Sequence, residues 1–419
     1  MNQDTNDRET ADSAAKPPLV DEARVLQRLM AGAGASLPTA VLAALADLPT
    51  ATAHRHLEHL VRTGSALRTG DEYAPVPGRQ VPNPVAPDLA AWARVADWYL
   101  ASAYRAADVL GSVALPANEP IPESFGRPPL ALRDAAEAVA WYQATHTRLH
   151  SILDRAAAAG DHSRVWQLAL LTLNIAAVAG PAGDWETATE LGLNAAYADQ
   201  AEGAAAMVME YQGKLLVHVG RFEDAQTVHR AGLALREEAG DKLGAARSTN
   251  ALGLIALREG KTETAAGYFT EALALAAQAG SAEFATYARL NLGSALTDQG
   301  RAAAARDHLD QASTYLRDAG RGNYLADALH RLAATYRAEG EYAQALELAT
   351  AAVNEATCAG LPMYLAGPLS ELAEIHLALG DGTSALAALA EARAIYAELG
   401  DVVRAVRMEA RIEVIATAA

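Results

Sequence analysis

Alanine-rich apolar runs with helical spacing fill the last half of the chain, and each run ends at a glycine. Glycines stand at 220, 260, 300, 340 and 380, and a second series at 240, 280, 320, 360 and 400 bisects the first. Glycine tolerates the left-handed backbone that ends helices, so this punctuation predicts an array of helix–turn–helix units about forty residues long. Counting from the first series tests the idea. Five residues on come Ala225, Ala265, Ala305, Ala345 and Ala385; nine on come His229, Phe269, Leu309, Ala349 and Leu389; twelve on come Gly232, Ala272, Ala312, Ala352 and Ala392. Seven residues before the same glycines stand Gly213, Gly253, Gly293, Ala333 and Ala373. Small residues facing a bulky one allow two helices to pack closely, and Ala349 is the one break in the bulky series, with Leu348 beside it.

These positions, in "NALGLIALREGKTETAAGYFTEALALAAQAG" at 250–280 and "NLGSALTDQGRAAAARDHLDQA" at 291–312, resemble the tetratricopeptide repeat, whose usual length is about 34 residues. A degenerate sixth unit starts at Gly183 and keeps Ala188 and Ala195 in step. The expected fold class is all-α: a tetratricopeptide-like α-solenoid over 181–400, with helical lead-in segments over 133–180 and a capping helix over 401–419. The resemblance implies a concave groove lined by the first helix of each unit. The groove positions map to Glu210, Lys214 and His218; then Arg247, Asn250 and Arg258; then Tyr287, Ser294, Thr297 and Asp298; then Asp327, His330 and Arg337. Lys214, His218, Arg247, Asn250, Arg258, Tyr287, His330 and Arg337 are the expected partner-binding set, because amide and guanidinium groups make paired hydrogen bonds to peptide backbone and acidic side chains. A solvated polar face is the competing explanation for any one of them.

The front of the chain has another pattern. Residues 21–77 predict three helices and a short hairpin turning at Thr69-Gly70-Asp71-Glu72, with Thr50 or Thr52 as the N-cap of the third helix. Three helices and a two-stranded wing make a small winged helix-turn-helix domain. Its third helix offers Thr52, His54, Arg55, His56, His59 and Arg62, and the wing offers Arg68, as candidate DNA contacts. The acidic Glu58 and Asp71-Glu72 favour a packing module instead. His54, His56 and His59 do not share one helical face, so no metal site is expected. Residues 1–20 read as a disordered polar tail, and 78–132 as Pro-rich linkers around one helix at 88–112.

Composition narrows the function. The chain has 419 residues, 51% of them hydrophobic, and carries a formal charge of −17, so any DNA contact must come from a local patch. The single cysteine, Cys358, sits in an apolar helical stretch and reads as a structural thiol of an intracellular protein. No apolar run reaches the length of about twenty residues that spans a bilayer, so a cytoplasmic location and no membrane partner are expected. Gly260-Lys261-Thr262 imitates the end of a phosphate-binding loop, but Ile255 stands where the first glycine belongs and Gly260 belongs to the repeat series. No nucleophile elbow, HExxH helix or phosphate loop occurs, so neither an enzyme nor a cofactor is expected.

The order of winged helix, "DWYLASAYRAADVL", "WYQATHTRLHSILDRAAAAGDHSRVWQLA" and forty-residue repeats resembles the C-terminal half of actinomycete NB-ARC–tetratricopeptide regulators, switch ATPases of the STAND class. This sequence departs from them in Thr145-His146 and in lacking an NB-ARC domain. Three expectations follow: an adaptor whose solenoid binds a peptide or protein, a ligand-responsive transcription regulator, or a detached sensor subunit of a separate STAND ATPase.

Overall fold

A computed structural model describes residues 19–33, 36–81, 89–111, 130–179 and 185–418. The polar tail up to residue 18, most of both Pro-rich stretches and Gly183 lie outside the described residues. The chain divides into two compact units, one up to Tyr99 and one from Leu100 onward.

In the first unit, α1 (Leu19–Ala33), α2 (Thr39–Ala46) and α3 (Thr50–Arg62) enclose Leu26, Met30, Leu42 and Leu57. Strands β2 (Ala66–Thr69) and β3 (Glu72–Pro75) form an antiparallel hairpin around Gly70, whose φ of 62° is the left-handed conformation that glycine adopts at least steric cost. A third strand that the sequence pattern does not signal, β1 (Leu37–Pro38), pairs with β3 and gives the order β1-β3-β2. Two residues are too few to carry an alternating pattern. Pro49 is the N-cap of α3 and no side chain caps it, so the expected capping by Thr50 or Thr52 is corrected. Helix α4 (Leu89–Val109) follows.

The second unit stacks α5 (Ala135–Ala158), α6 (His162–Ala179), α7 (Trp185–Ala198), α8 (Glu202–His218), α9 (Phe222–Glu238), α10 (Lys242–Arg258) and α11 (Thr262–Gln278). The stack continues through α12 (Ala282–Asp298), α13 (Ala302–Asp318), α14 (Gly322–Ala338), α15 (Tyr342–Ala359), α16 (Pro362–Ala378), α17 (Gly382–Glu398) and α18 (Val402–Ala418). Each helix packs on the next, and alternate helices from α6 to α16 also touch, which is the layering of an α-solenoid. The turns repeat one geometry. At the first, Gly220 has φ 81°, its N–H bonds to Val217 O, and the Arg221 N–H reaches back to Leu216 O at 2.8 Å, closing the orphan carbonyls of α8. Gln200 holds the same left-handed place at φ 57° where the twenty-residue series lacks a glycine.

Within each pair a small residue of the first helix meets a bulky one of the second. A Cβ built on Gly253 would lie 2.5 Å from the Phe269 ring, one on Gly293 2.5 Å from Leu309, and one on Gly213 2.2 Å from the His229 imidazole. Phe269 and Leu309 are fully buried. Gly260, at φ 77°, lies in the turn between α10 and α11, and Lys261 pairs with Glu259 beside it. Cys358 is exposed, which corrects its reading as a structural thiol: it falls near the C-terminal end of α15, off the buried face. No helix among the described residues is long and apolar enough to cross a membrane.

Two tests address this packing. Gly253→Ala gains about 1 kcal/mol of helix propensity but overlaps Phe269, and overpacking costs about 1–3 kcal/mol, so denaturant unfolding is expected to show a net loss. The buried His229 has its pKa pushed down to about 4, chiefly by burial, and its Nδ1 has no partner. Its folded pKa lies below the ordinary value of about 6.5, so its contribution is present above pH 6.5 and is lost as pH falls towards 4. His229→Leu, which installs the residue found at Leu309, is expected to make the thermal midpoint less sensitive to pH between 7 and 5.

Candidate functional site

The first helices of the pairs, α8, α10, α12, α14, α16 and α18, carry nearly all of the polar residues that the repeat register assigns to a groove. The structure joins many of these residues to each other. The Tyr211 hydroxyl donates to Asn174 at 2.7 Å, and Asn291 donates to Asn250 at 2.8 Å. Arg331 donates to Ser294 at 2.6 Å and to Asp327 at 3.0 Å, and Thr297 meets Thr335 at 2.8 Å. Arg337 grips Glu371 at 2.5 and 3.2 Å, and Arg411 grips Glu374 at 2.7 and 2.9 Å. A polar ladder therefore runs from helix to helix at the spacing of one unit. Each bond satisfies a group that the stacking partly or wholly removes from water.

This ladder redistributes the residues expected in the binding set. Asn250 is buried, and its amide oxygen is spent on Asn291. Arg337 is spent on Glu371, whose pKa burial raises despite the guanidinium. His330 is a largely buried imidazole pushed down to about 4 by burial, and it stands 3.5 Å from Asp327. His218 tilts onto Trp185 with ring centroids 5.8 Å apart and is likewise pushed down to about 4 by burial. Arg258 turns to Asp401 at 3.7 Å, and burial lowers its pKa to about 10. All five stand against other groups of the solenoid, although Arg258 Nη1 and His330 Nδ1 have no hydrogen-bond partner among the described residues.

Lys214, Arg247 and Tyr287 lie on α8, α10 and α12, and each is half-buried. Lys214 bonds to Glu210 at 2.9 Å and lies 4.5 Å over the Tyr211 ring. Burial pushes the Glu210 carboxyl up, but Lys214, Arg236 and Arg247 together hold it well below the usual range. Arg236 is itself buried, bonding to Glu210 at 2.9 Å and to Ser248 at 2.8 Å. Half-buried Arg247 shares this field yet makes no side-chain hydrogen bond among the described residues. Three cations around one carboxylate leave the region net positive.

On α12, α14 and α16 runs a ladder of tyrosines that the sequence analysis missed beyond its first member. Tyr287 and Tyr324 have ring centroids 4.5 Å apart, and Tyr324 and Tyr364 5.3 Å apart. Burial raises the pKa of Tyr287 and Tyr364, so their hydroxyls remain protonated donors. The signal was present in the repeat register: Phe284, Tyr324, Tyr364 and Arg404 each stand four residues after a glycine of the second series.

In the first unit, His54, Arg55, His59 and Arg62 are exposed on one side of α3, and Thr52 is half-buried and bonded to Arg55 at 3.2 Å. His56 points inward and meets Glu22 at 2.8 Å, which corrects its place among the candidate contacts: it lies on the face that packs against α1. Arg68 bonds to Glu58 at 2.9 Å and to the Gly70 carbonyl at 2.7 Å. Glu58 also accepts from Tyr73 at 2.6 Å, and this bond together with burial pushes the phenol up to about 12.

The ladder is testable through Arg337. Arg337→Ala leaves Glu371 buried without its cation and is expected to cost about 1–3 kcal/mol in chemical denaturation. Replacing both partners by methionine is expected to recover most of that loss, because a paired apolar substitution strands no charge.

A family model described as tetratricopeptide repeat matches residues 204–278. No curated protein sequence matches the chain significantly. Among solved structures, the chain is similar to BtubC from P. vanneervenii at 20% identity and a TM-score of 0.41, over 51% of this chain and 89% of that one. A Rap protein complexed with Competence and Sporulation Factor aligns at 14% identity and a TM-score of 0.46, over 67% of this chain and 87% of that one. A STAND protein with a tetratricopeptide repeat sensor from Pyrococcus horikoshii aligns at 13% identity and a TM-score of 0.40, over 96% of this chain and 65% of that one. The chain is thus an all-helical solenoid of tetratricopeptide-like repeats in its larger unit.

Proposed function

We propose that the chain is a non-enzymatic cytoplasmic adaptor or regulator whose solenoid binds a peptide or protein partner along its inner face. The observation that carries this reading is Arg247, a half-buried guanidinium with no side-chain hydrogen bond among the described residues, set beside Lys214 and Arg236 around Glu210 on the first helix of its unit. An uncommitted guanidinium suits a carboxylate or a row of peptide carbonyls, which it engages through paired donors. The tyrosine ladder supplies rigid, amphipathic contact area with few rotatable bonds. The reading keeps Lys214, Arg247 and Tyr287 from the expected set and adds Tyr324 and Tyr364.

The test is selection of binders from a random peptide library by the full-length chain, followed by titration of the selected peptide. Arg247→Ala is expected to weaken binding about tenfold or more, the usual scale for a buried charged contact, with the melting curve unchanged. Equal affinity for the variant would remove the inner face as the binding surface.

A second reading rests on α3. Its exposed His54, Arg55, His59 and Arg62, followed by the β2–β3 hairpin, suit a winged helix that reads duplex DNA with Thr52 and Arg68 at its edges. True DNA affinity falls steeply with salt through counterion release, and Arg55→Ala with Arg62→Ala is expected to flatten that slope by about 2. No binding by the full chain even at low salt would end this reading. The third reading, a sensor subunit acting in trans with a STAND ATPase, requires a co-purifying protein that carries a phosphate-binding loop.

A further inference from the structure

Parts of the solenoid far apart in sequence touch. A Cβ on Gly220, in the turn after α8, would lie 3.3 Å from the Val403 side chain at the start of α18. Arg258, at the end of α10, lies 3.7 Å from Asp401, which is only 1% exposed. Asp401 is held from its own helix as well: it accepts from the Arg404 backbone N–H at 3.0 Å and from Arg404 Nε at 2.5 Å. Along the same seam, α5 and α6 approach α16 and α17 around a cavity of about 460 Å³ lined by Val139, Tyr142, Val178, Pro362 and Leu399.

This seam differs in kind from the contacts between neighbouring units. Those bury Phe269 with Leu292 and Leu296, or Leu309 with Leu325 and Leu329, and their strength is apolar area. At the Asp401 contact Arg258, Arg404 and His218 stand around one carboxylate. The distance of 3.7 Å exceeds a hydrogen bond, and the buried Nη1 of Arg258 has no hydrogen-bond partner. An under-satisfied guanidinium gains water when it is released, so opening offsets much of its own cost. Asp401 stays satisfied by Arg404 whether the seam is shut or open.

We propose that Arg258 and Asp401 form a releasable clasp that closes the solenoid on itself, and that the inner face is reached by opening this seam. The clasp goes beyond the peptide-binding reading and stands without any ligand. In it Asp401 is the fixed jaw, preset by Arg404 and the first turn of α18, and Arg258 is the jaw that lets go. Beside the charge contact, Val403 meets Gly220 in a single small apolar contact.

Spin labels test this in the full chain. Val219 and Val406 are exposed, flank the seam from either side in sequence, and accept cysteines once Cys358 is replaced by serine. Pulsed dipolar measurements on the otherwise wild-type chain are expected to give one dominant short distance. Arg258→Met is expected to raise a longer-distance population about tenfold, equivalent to about 1.4 kcal/mol. Asp401→Asn keeps an N-cap side chain for α18 and removes only the charge, so it is expected to do the same. Arg393→Met, which breaks a surface pair with Glu409 away from the seam, is expected to change nothing. Wild-type distances in both clasp variants, with helix content retained, would overturn the proposal, as would a wild-type chain already spread over long distances. Arg247→Ala leaves the distances unchanged under either outcome, which separates this test from that of the inner face.

Discussion

The close approach of two helices where a glycine meets a large side chain is the constraint on which the rest of the solenoid depends. Gly253 has no room for a methyl group because Phe269 fills the space, and Gly293 and Leu309 repeat the arrangement one unit later. Interiors pack at crystal-like density, so this contact fixes the separation and angle of the two helices within narrow bounds. Once the pair is fixed, its first helix must stack on the first helix of the next pair. The inner surface and its register follow from that stacking. At the end of the array Glu413 stands in α18 where the earlier first helices carry Gly253, Gly293, Ala333 or Ala373, and it is exposed.

Stacking also explains why the polar inner surface is less available than its composition suggests. Groups brought within a unit's spacing of each other pair off, and desolvation makes leaving them unpaired costly. Arg337 with Glu371, Arg331 with Ser294 and Asp327, and Asn291 with Asn250 are consequences of that rule. What remains uncommitted is therefore more informative than what is polar. Arg247 meets this criterion among the described residues, whereas Tyr287 already donates to Glu283 at 2.9 Å and stacks with Tyr324.

The fold was legible because it is local and repetitive. Glycines at forty-residue spacing, with alanines and bulky residues at fixed offsets, constrain every pair in the same way, and the turn at Gly260 could be separated from a phosphate loop on that ground alone. The site was legible only in part. Register places Asn250, Arg258 and Arg337 on the inner side but does not reveal that Asn291, Asp401 and Glu371 meet them, since those partners lie one or more units away. The contact of Arg258 with Asp401 depends on how far the solenoid curves over several units, a quantity that sums small angles and has no motif. In the first unit, strand β1 was too short to be seen, and His56 was separated from its exposed neighbours only by the packing of α1 against α3.

On the proposed reading, a partner lies along the first helices, against Arg247 and the tyrosine ladder. Amide hydrogen exchange of the full chain, with and without a library-selected peptide, tests it most directly, because ordering a binding face slows local opening there. Slowed exchange is expected in α10, α12, α14 and α16, with the second helices α11, α13 and α15 unchanged. Protection confined to those second helices, or to α3, would contradict it.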